Sequence, residues 1–249
     1  MRRIVREAIG SKTEKYLIKK QDEIDKGKDV ESTWKYARNT KSMKEVLSVL
    51  TRMAGKRRRC MYCEDSRGTT IEHYWPKSVY KEKTFKWLNL LLLCQGCQSH
   101  KGACFDLDPC GMPLLIDPTS EDPWDSLFFE SHTGMVTARY MSHAKMFDRR
   151  GEHTTHEKIL PLNIEAITEG RLRTKRNLHR AASAFLSDID QGNPLREARD
   201  SLFEAIRDND AYGLAVWYFV HDGSGEEPFR GLQLRFPGVW AAISKVLAH

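Results

Sequence analysis

Cys60-Met61-Tyr62-Cys63 and Cys94-Gln95-Gly96-Cys97 are two CxxC pairs with thirty residues between them. A CxxC turn lets two thiolates converge on one ion, and two such turns supply the four sulfurs of a closed tetrahedral zinc site. No position is then left for water, so a zinc held by Cys60, Cys63, Cys94 and Cys97 is structural. The disulfide reading is weaker because no secretion signal precedes the pairs, and a thioredoxin-type redox site needs only one CxxC, opening a helix. Cys104 and Cys110 have no partner at ligand spacing and read as plain buried or partly exposed thiols.

On the N-terminal side the first pair is abutted by Lys56-Arg57-Arg58-Arg59, introduced by Gly55. Further upstream, apolar positions at helical spacing predict one helix over 12–26 and a second over 32–53, carried by Trp34, Met43, Val46, Leu47, Leu50 and Met53. Residues 1–59 hold 18 Lys/Arg against 8 Asp/Glu, within a whole-chain net charge of +6. This asymmetry suits an acidic partner, either nucleic acid or an acidic protein face, although a solvated lysine-rich helix alone accounts for such runs.

Downstream of the second pair, the proline- and aspartate-rich stretch 105–125 predicts an extended wrap. A hairpin is expected over 126–130 and 135–140, turning near Thr133-Gly134. Helices are then predicted over 162–189, 194–220 and 237–247. Trp217, Tyr218 and Trp240 suit either partner docking or packing, with packing the better reading, and His153 and His156 read as a solvated helix start. At 249 residues and a mean hydropathy of −0.57, collagen-like, low-complexity and wholly disordered readings are excluded. No apolar run approaches the ~20 residues of a bilayer span, and the expectation is a cytoplasmic protein with no membrane contact.

Between the cysteine pairs stand Ile71-Glu72-His73-Tyr74-Trp75-Pro76-Lys77-Ser78 and Trp87-Leu88-Asn89-Leu90, and after them Gln98-Ser99-His100-Lys101-Gly102. An acidic residue and His at a strand end, Asn sixteen residues on, and a ligand-type residue directly after the second CxxC resemble the HNH endonucleases. The resemblance implies a ββα-metal (HNH, His-Me finger) module in which a catalytic divalent cation, Mg²⁺ or Mn²⁺, is held beside the separate structural zinc. It further implies His73 as the general base, Glu72 as a carboxylate ligand of the catalytic metal and Asn89 as the residue that orients the base and its loop. The third family position, usually His or Asn, falls on Gln98, whose carbonyl is a hard-cation ligand displaced by one methylene. His100, two residues on, competes for the role and is slightly preferred, because imidazole is the commoner ligand of transition metals. Lys101 matches a trailing Lys of the family and is expected to meet phosphate.

The wider pattern, including Leu115-Ile116-Asp117-Pro118 and Glu121-Asp122-Pro123, is similar to the HNH nuclease subunit of Septu-type anti-phage systems, including the form attached to some retrons. That resemblance covers about residues 1–180 and implies an effector that acts with an ABC/SMC-like ATPase and cleaves DNA or RNA. Lys56, Arg57, Arg58, Arg59, Lys77 and Lys101 are then the expected nucleic-acid contacts, made to backbone phosphate without reading sequence. Two other readings stay open: a catalytically inactive zinc-knuckle adaptor that binds nucleic acid or protein, and a stand-alone restriction-type or mobile-element nuclease. The expected fold class is α+β, mostly helical. Its segments are an N-terminal helical, basic region over 1–55, the zinc-braced module over 56–125, and a hairpin with a C-terminal helical region over 126–249.

Overall fold

The structure is a computed structural model that describes residues 1–247. The chain is α+β and mostly helical, and among the described residues its strands pair into three two-stranded antiparallel sheets. Three helices come first: α1 (Ser11–Asp25), α2 (Val30–Ala37) and α3 (Lys41–Met53). The single helix expected over 32–53 is therefore broken. Thr40 makes the break, because its hydroxyl donates to Ala37 O at 2.7 Å and accepts from Met43 N, which ends one helix and caps the next. The apolar spacing runs through the break because α2 and α3 bury the same side of the chain, Trp34 from one and Met43, Val46 and Leu50 from the other.

β1 (Thr70–His73) pairs with β2 (Leu90–Leu93) in the register Glu72↔Leu91 and His73↔Leu90, and α4 (Gln95–Lys101) follows directly. All four leucines of β2 are fully buried, as a strand covered on both faces requires. Successive side chains of β1 point to opposite faces. Glu72 accordingly faces α4, and His73 faces α2.

Residues 105–122 contain no helix or strand beyond a bridge between Leu107 and Pro113, as the proline content predicts. The expected hairpin is present as β3 (Leu127–Phe129) and β4 (Val136–Ala138). Its turn residue Gly134 has φ 76°, and a Cβ there would lie 2.3 Å from Thr168 O. We expect Gly134→Ala to cost about 2–3 kcal/mol through combined backbone strain and overpacking. Gly192, at φ 84° with nothing within 4 Å, carries the strain alone, so Gly192→Ala should cost about 1 kcal/mol. Urea unfolding midpoints of the two variants check the difference, and equal shifts would rule out the clash.

A small second hairpin, β5 (Tyr140–Met141) with β6 (Met146–Phe147), and the helix α5 (Arg149–Thr155) were not expected from periodicity. Asp148 caps α5 by accepting from Gly151 N at 2.8 Å. His153 lies within this helix and not in a solvated start, with its side chain largely buried 3.5 Å from Asp106. The C-terminal region comprises α6 (Glu165–Asp190), α7 (Leu195–Asn209), α8 (Leu214–Val220), α9 (Phe229–Arg235) and α10 (Pro237–Leu247). The helix expected over 194–220 is thus two, separated where Gly213 takes φ 70° and Asp210 accepts from Leu214 N. Trp217, Tyr218 and Trp240 are buried, the packing alternative. One hydrophobic cluster contains residues from all three expected segments, from Trp34 through Leu91 to Trp217. No described helix is long and apolar enough to cross a membrane.

Candidate metal centre and hydrolytic site

The first CxxC lies in the turn after α3, and the second joins β2 to α4, so pairing β1 with β2 brings the two turns together. The four sulfurs of Cys60, Cys63, Cys94 and Cys97 lie within 4.8 Å of one another, and Cys63 Sγ is 3.8 Å from Cys94 Sγ. A tetrahedron with Zn–S bonds of about 2.3 Å has sulfurs about 3.8 Å apart, so the cluster fits zinc in both spacing and donor type. All four residues are buried and free of disulfides. Hydrogen bonds from Cys60, Cys63 and Cys97 hold the Cys94 thiol far below its ordinary value, whereas burial raises that of Cys60. Several buried thiolates this close need a cation to offset their mutual repulsion. Cys104 and Cys110 are exposed and outside the cluster.

Around this brace, Arg2 Nε reaches Glu64, the residue after Cys63, at 2.9 Å. Arg171 of α6, also buried, donates to Gly134 O and Asn163 Oδ1, both at 3.2 Å. The sequence assigns neither arginine a role at the knuckle, and the fold carries both to it.

His73 is 2% exposed. Its Nε2 lies 3.0 Å from Thr84 O, and since a carbonyl oxygen only accepts, Nε2 carries the proton. Burial, with Lys77 and Lys101 adding to it, pushes the imidazole pKa down to about 3. The ring is therefore neutral at physiological pH, with its free lone pair on Nδ1. The Trp34 indole meets the imidazole edge-on, with ring centroids 4.3 Å apart.

Asn89 ends a short 3₁₀ turn before β2 and braces the loop after His73. Its Oδ1 accepts from Trp75 N at 2.6 Å, its Nδ2 donates to Trp75 O and Lys83 O, and its carbonyl accepts from Tyr74 N. The turn is held from outside by Arg6, whose guanidinium donates to the carbonyls of Trp87, Leu88 and Leu90 and to Thr119 Oγ1.

On the opposite face of β1, Glu72 accepts from Gln98 Nε2 at 2.9 Å. Lys101 Nζ stands 3.8 Å from Glu72 Oε1, with its side chain fully buried and its ammonium lacking a hydrogen-bond partner. Gln98 and Lys101 are one helical turn apart and share a face of α4. His100, about 200° from Gln98 around that helix, instead points outward, exposed, with Nδ1 against Gly96 O. The structure thus sets Gln98, and not the preferred His100, beside Glu72. It also turns Lys101 inward, away from the exposed phosphate contact expected of it, and burial pulls its pKa down while Glu72 opposes. Lys77 is ion-paired to Glu31 of α2, while Lys56, Arg57 and Arg58 are exposed and Arg59 half-buried.

Among the described residues, the four cysteines are the one group of three or more His, Cys, Asp or Glu close enough to hold an ion. For a second cation Glu72 offers a carboxylate, and Gln98 would offer its Oε1 only with its amide, which here donates Nε2 to Glu72, turned over. That set suits an ion such as Mg²⁺, which takes one or two carboxylates and completes its shell with water and substrate phosphate.

No family model matches the chain. Over 70 residues it is 34% identical to the Septu protein PtuB of Bacillus thuringiensis, a stretch covering 26% of this chain and 26% of that protein. The likeness is distant and spans about a quarter of the relative's length. It is a similarity to a Septu protein, coupled here with a four-cysteine cluster fit for zinc.

Proposed function

We propose that the protein is a metal-dependent HNH endonuclease that hydrolyses nucleic-acid phosphodiester bonds, DNA foremost, as an effector of anti-phage defence acting with an ABC/SMC-like ATPase. The observation that carries this reading is the antiparallel pair β1–β2 with α4. There Glu72 stands against Gln98, and the next residue is a neutral imidazole whose proton is fixed on Nε2 by Thr84 O. Hydrolysis needs a base for the attacking water and a charge sink at the leaving oxygen. His73 Nδ1 supplies the first, and Glu72 with Gln98 would hold the cation that supplies the second by polarising the scissile phosphate. Asn89 keeps the loop after His73 in place, and the zinc cluster braces the hairpin ends. The distant similarity to a Septu protein supports the defence context and a partner from the same system, and the resemblance read in the sequence makes that partner an ABC/SMC-like ATPase.

Two observations favour a second reading, a catalytically silent zinc-knuckle adaptor: the base is sealed beneath Trp34, and it faces away from Glu72 across β1. Supercoiled plasmid incubated with the protein and Mg²⁺ or Mn²⁺, with and without the copurified ATPase, separates the two. We expect nicking by the wild type, reduced about 100-fold or more in Glu72→Gln, which keeps the shape of the side chain and removes its charge. Equal nicking by this variant would refute the ligand assignment, and no nicking under any of these conditions would favour the adaptor.

A further inference from the structure

A second charged surface lies on the zinc side of the molecule, apart from Glu72 and His73. A cleft of about 900 Å³ opens between α3 and the turn that carries the first CxxC, lined by Lys44, Arg52, Lys56, Arg58 and Arg67, with Thr69 at its end. No carboxylate lines it. Arg52 is bonded to Glu7 at 2.7 Å, but among the described residues no ion pair joins Lys44, Lys56, Arg58 or Arg67 to an acidic group.

The cations are built into two walls. Lys44, Ser48 and Arg52 follow one another at i, i+4 along α3 and therefore share one stripe, about 12 Å long at 1.5 Å per residue. The facing wall is the doubled-back segment around the bridge between Arg59 and Arg67, where Gly68 N donates to Arg58 O at 2.8 Å. Arg58 itself has φ 51°, a left-handed conformation that an arginine rarely adopts. Arg58 N donates to Gly55 O within this turn, and the side chain lines the cleft. A glycine would hold that backbone without strain, so the strained position carries a guanidinium that the fold does not need there.

We propose that this cleft binds the phosphodiester backbone of nucleic acid, through phosphate contacts that do not read sequence. The roughly 12 Å from Lys44 to Arg52 spans three to four steps of a strand at about 3.4 Å each, and the guanidinium forks of Arg58 and Arg67 on the facing wall suit phosphate oxygens. From Thr69 the chain runs directly into β1, and Glu72 lies three residues on, about 10 Å at strand spacing. A strand bound in the cleft is thereby led toward Glu72. The choice of nucleic acid over an acidic protein rests on the phosphodiesterase reading above.

The test is fluorescence anisotropy of a labelled 30-base-pair DNA duplex with the full chain, without added divalent ion and over a range of salt, with a labelled polyglutamate as second probe. The wild type should bind the duplex. Lys44→Glu/Arg67→Glu should weaken binding at least 10-fold and reduce the salt slope by about two, while Lys245→Glu, exposed on α10, leaves it unchanged. Arg58→Gly should weaken binding with no fall in Tm, a pattern that a merely structural arginine would not produce. Unaltered affinity and slope in the double variant would overturn the proposal, as would binding of polyglutamate with none of DNA. Because binding is read without the catalytic ion, a protein that binds in this way yet never cuts in Mg²⁺ refutes the hydrolytic reading and leaves the cleft standing.

Discussion

Cys97→Ser should release the zinc and lower the thermal midpoint by about 10–20 °C. Structural zinc in small modules contributes on the order of 10 kcal/mol of apparent binding free energy, which is folding free energy when the apo site is not held together otherwise. Here much of the hairpin is also held by the leucines of β2 and by α3, so a loss of roughly 5 kcal/mol is expected. At about 2–4 °C per kcal/mol for a chain of this size, that is the stated shift. A metal-release assay and a thermal melt on the same sample check it, and a strong chelator should reproduce the effect in the wild type. Cys104→Ser, exposed and outside the cluster, is the control that should change neither quantity. Full zinc occupancy with an unaltered midpoint in Cys97→Ser would show that the four sulfurs are not the ligands.

Replacing His73 should abolish cleavage while sparing the metal brace. A positioned general base contributes about 10²–10⁴-fold, or roughly 3–5 kcal/mol in the barrier. Alanine is a poor instrument, because it leaves Thr84 O without its donor and opens a void beneath Trp34, together costing about 1–3 kcal/mol of stability. His73→Asn is the sharper variant: it keeps an N–H donor and much of the volume but has no basic lone pair. We expect near-wild-type zinc content, a modest fall in Tm, and plasmid nicking reduced at least 100-fold. Cleavage at the wild-type rate in His73→Asn would remove the base assignment, whatever became of the fold.

The parts of the site that the sequence made legible are those set by local spacing. Two CxxC turns announce a four-sulfur cluster on their own, and the antiparallel partner of Glu72-His73 could be read from the leucine run before the second pair. The choice between Gln98 and His100 was also accessible, because helix phase puts Gln98 with Lys101 and turns His100 away, but it required recognising that residues 95–101 form a helix. What stayed hidden depends on contacts between distant segments. Nothing around Trp34 indicates that it will lie on an imidazole thirty-nine residues further on, and nothing around Arg171 points to the knuckle. Lys101 was misread because lysines are seldom fully buried, and a sequence shows no sign of the one that is. The breaks at Thr40 and Gly213 escaped notice for the opposite reason, since apolar spacing continues across them while side-chain hydrogen bonds and a left-handed residue interrupt the helix.

The guanidinium of Arg6 ties together carbonyls more than eighty positions later in the chain and the hydroxyl of Thr119. Closing a loop of that length costs on the order of 4 kcal/mol of chain entropy, a cost that α1 to α3, built on near neighbours, do not carry. During synthesis Arg6 therefore waits without partners until the turn bearing Asn89 emerges, and its last bond forms only when Thr119, near the middle of the chain, follows. Arg6 is thus a latch on a turn that lies far downstream of it in the chain.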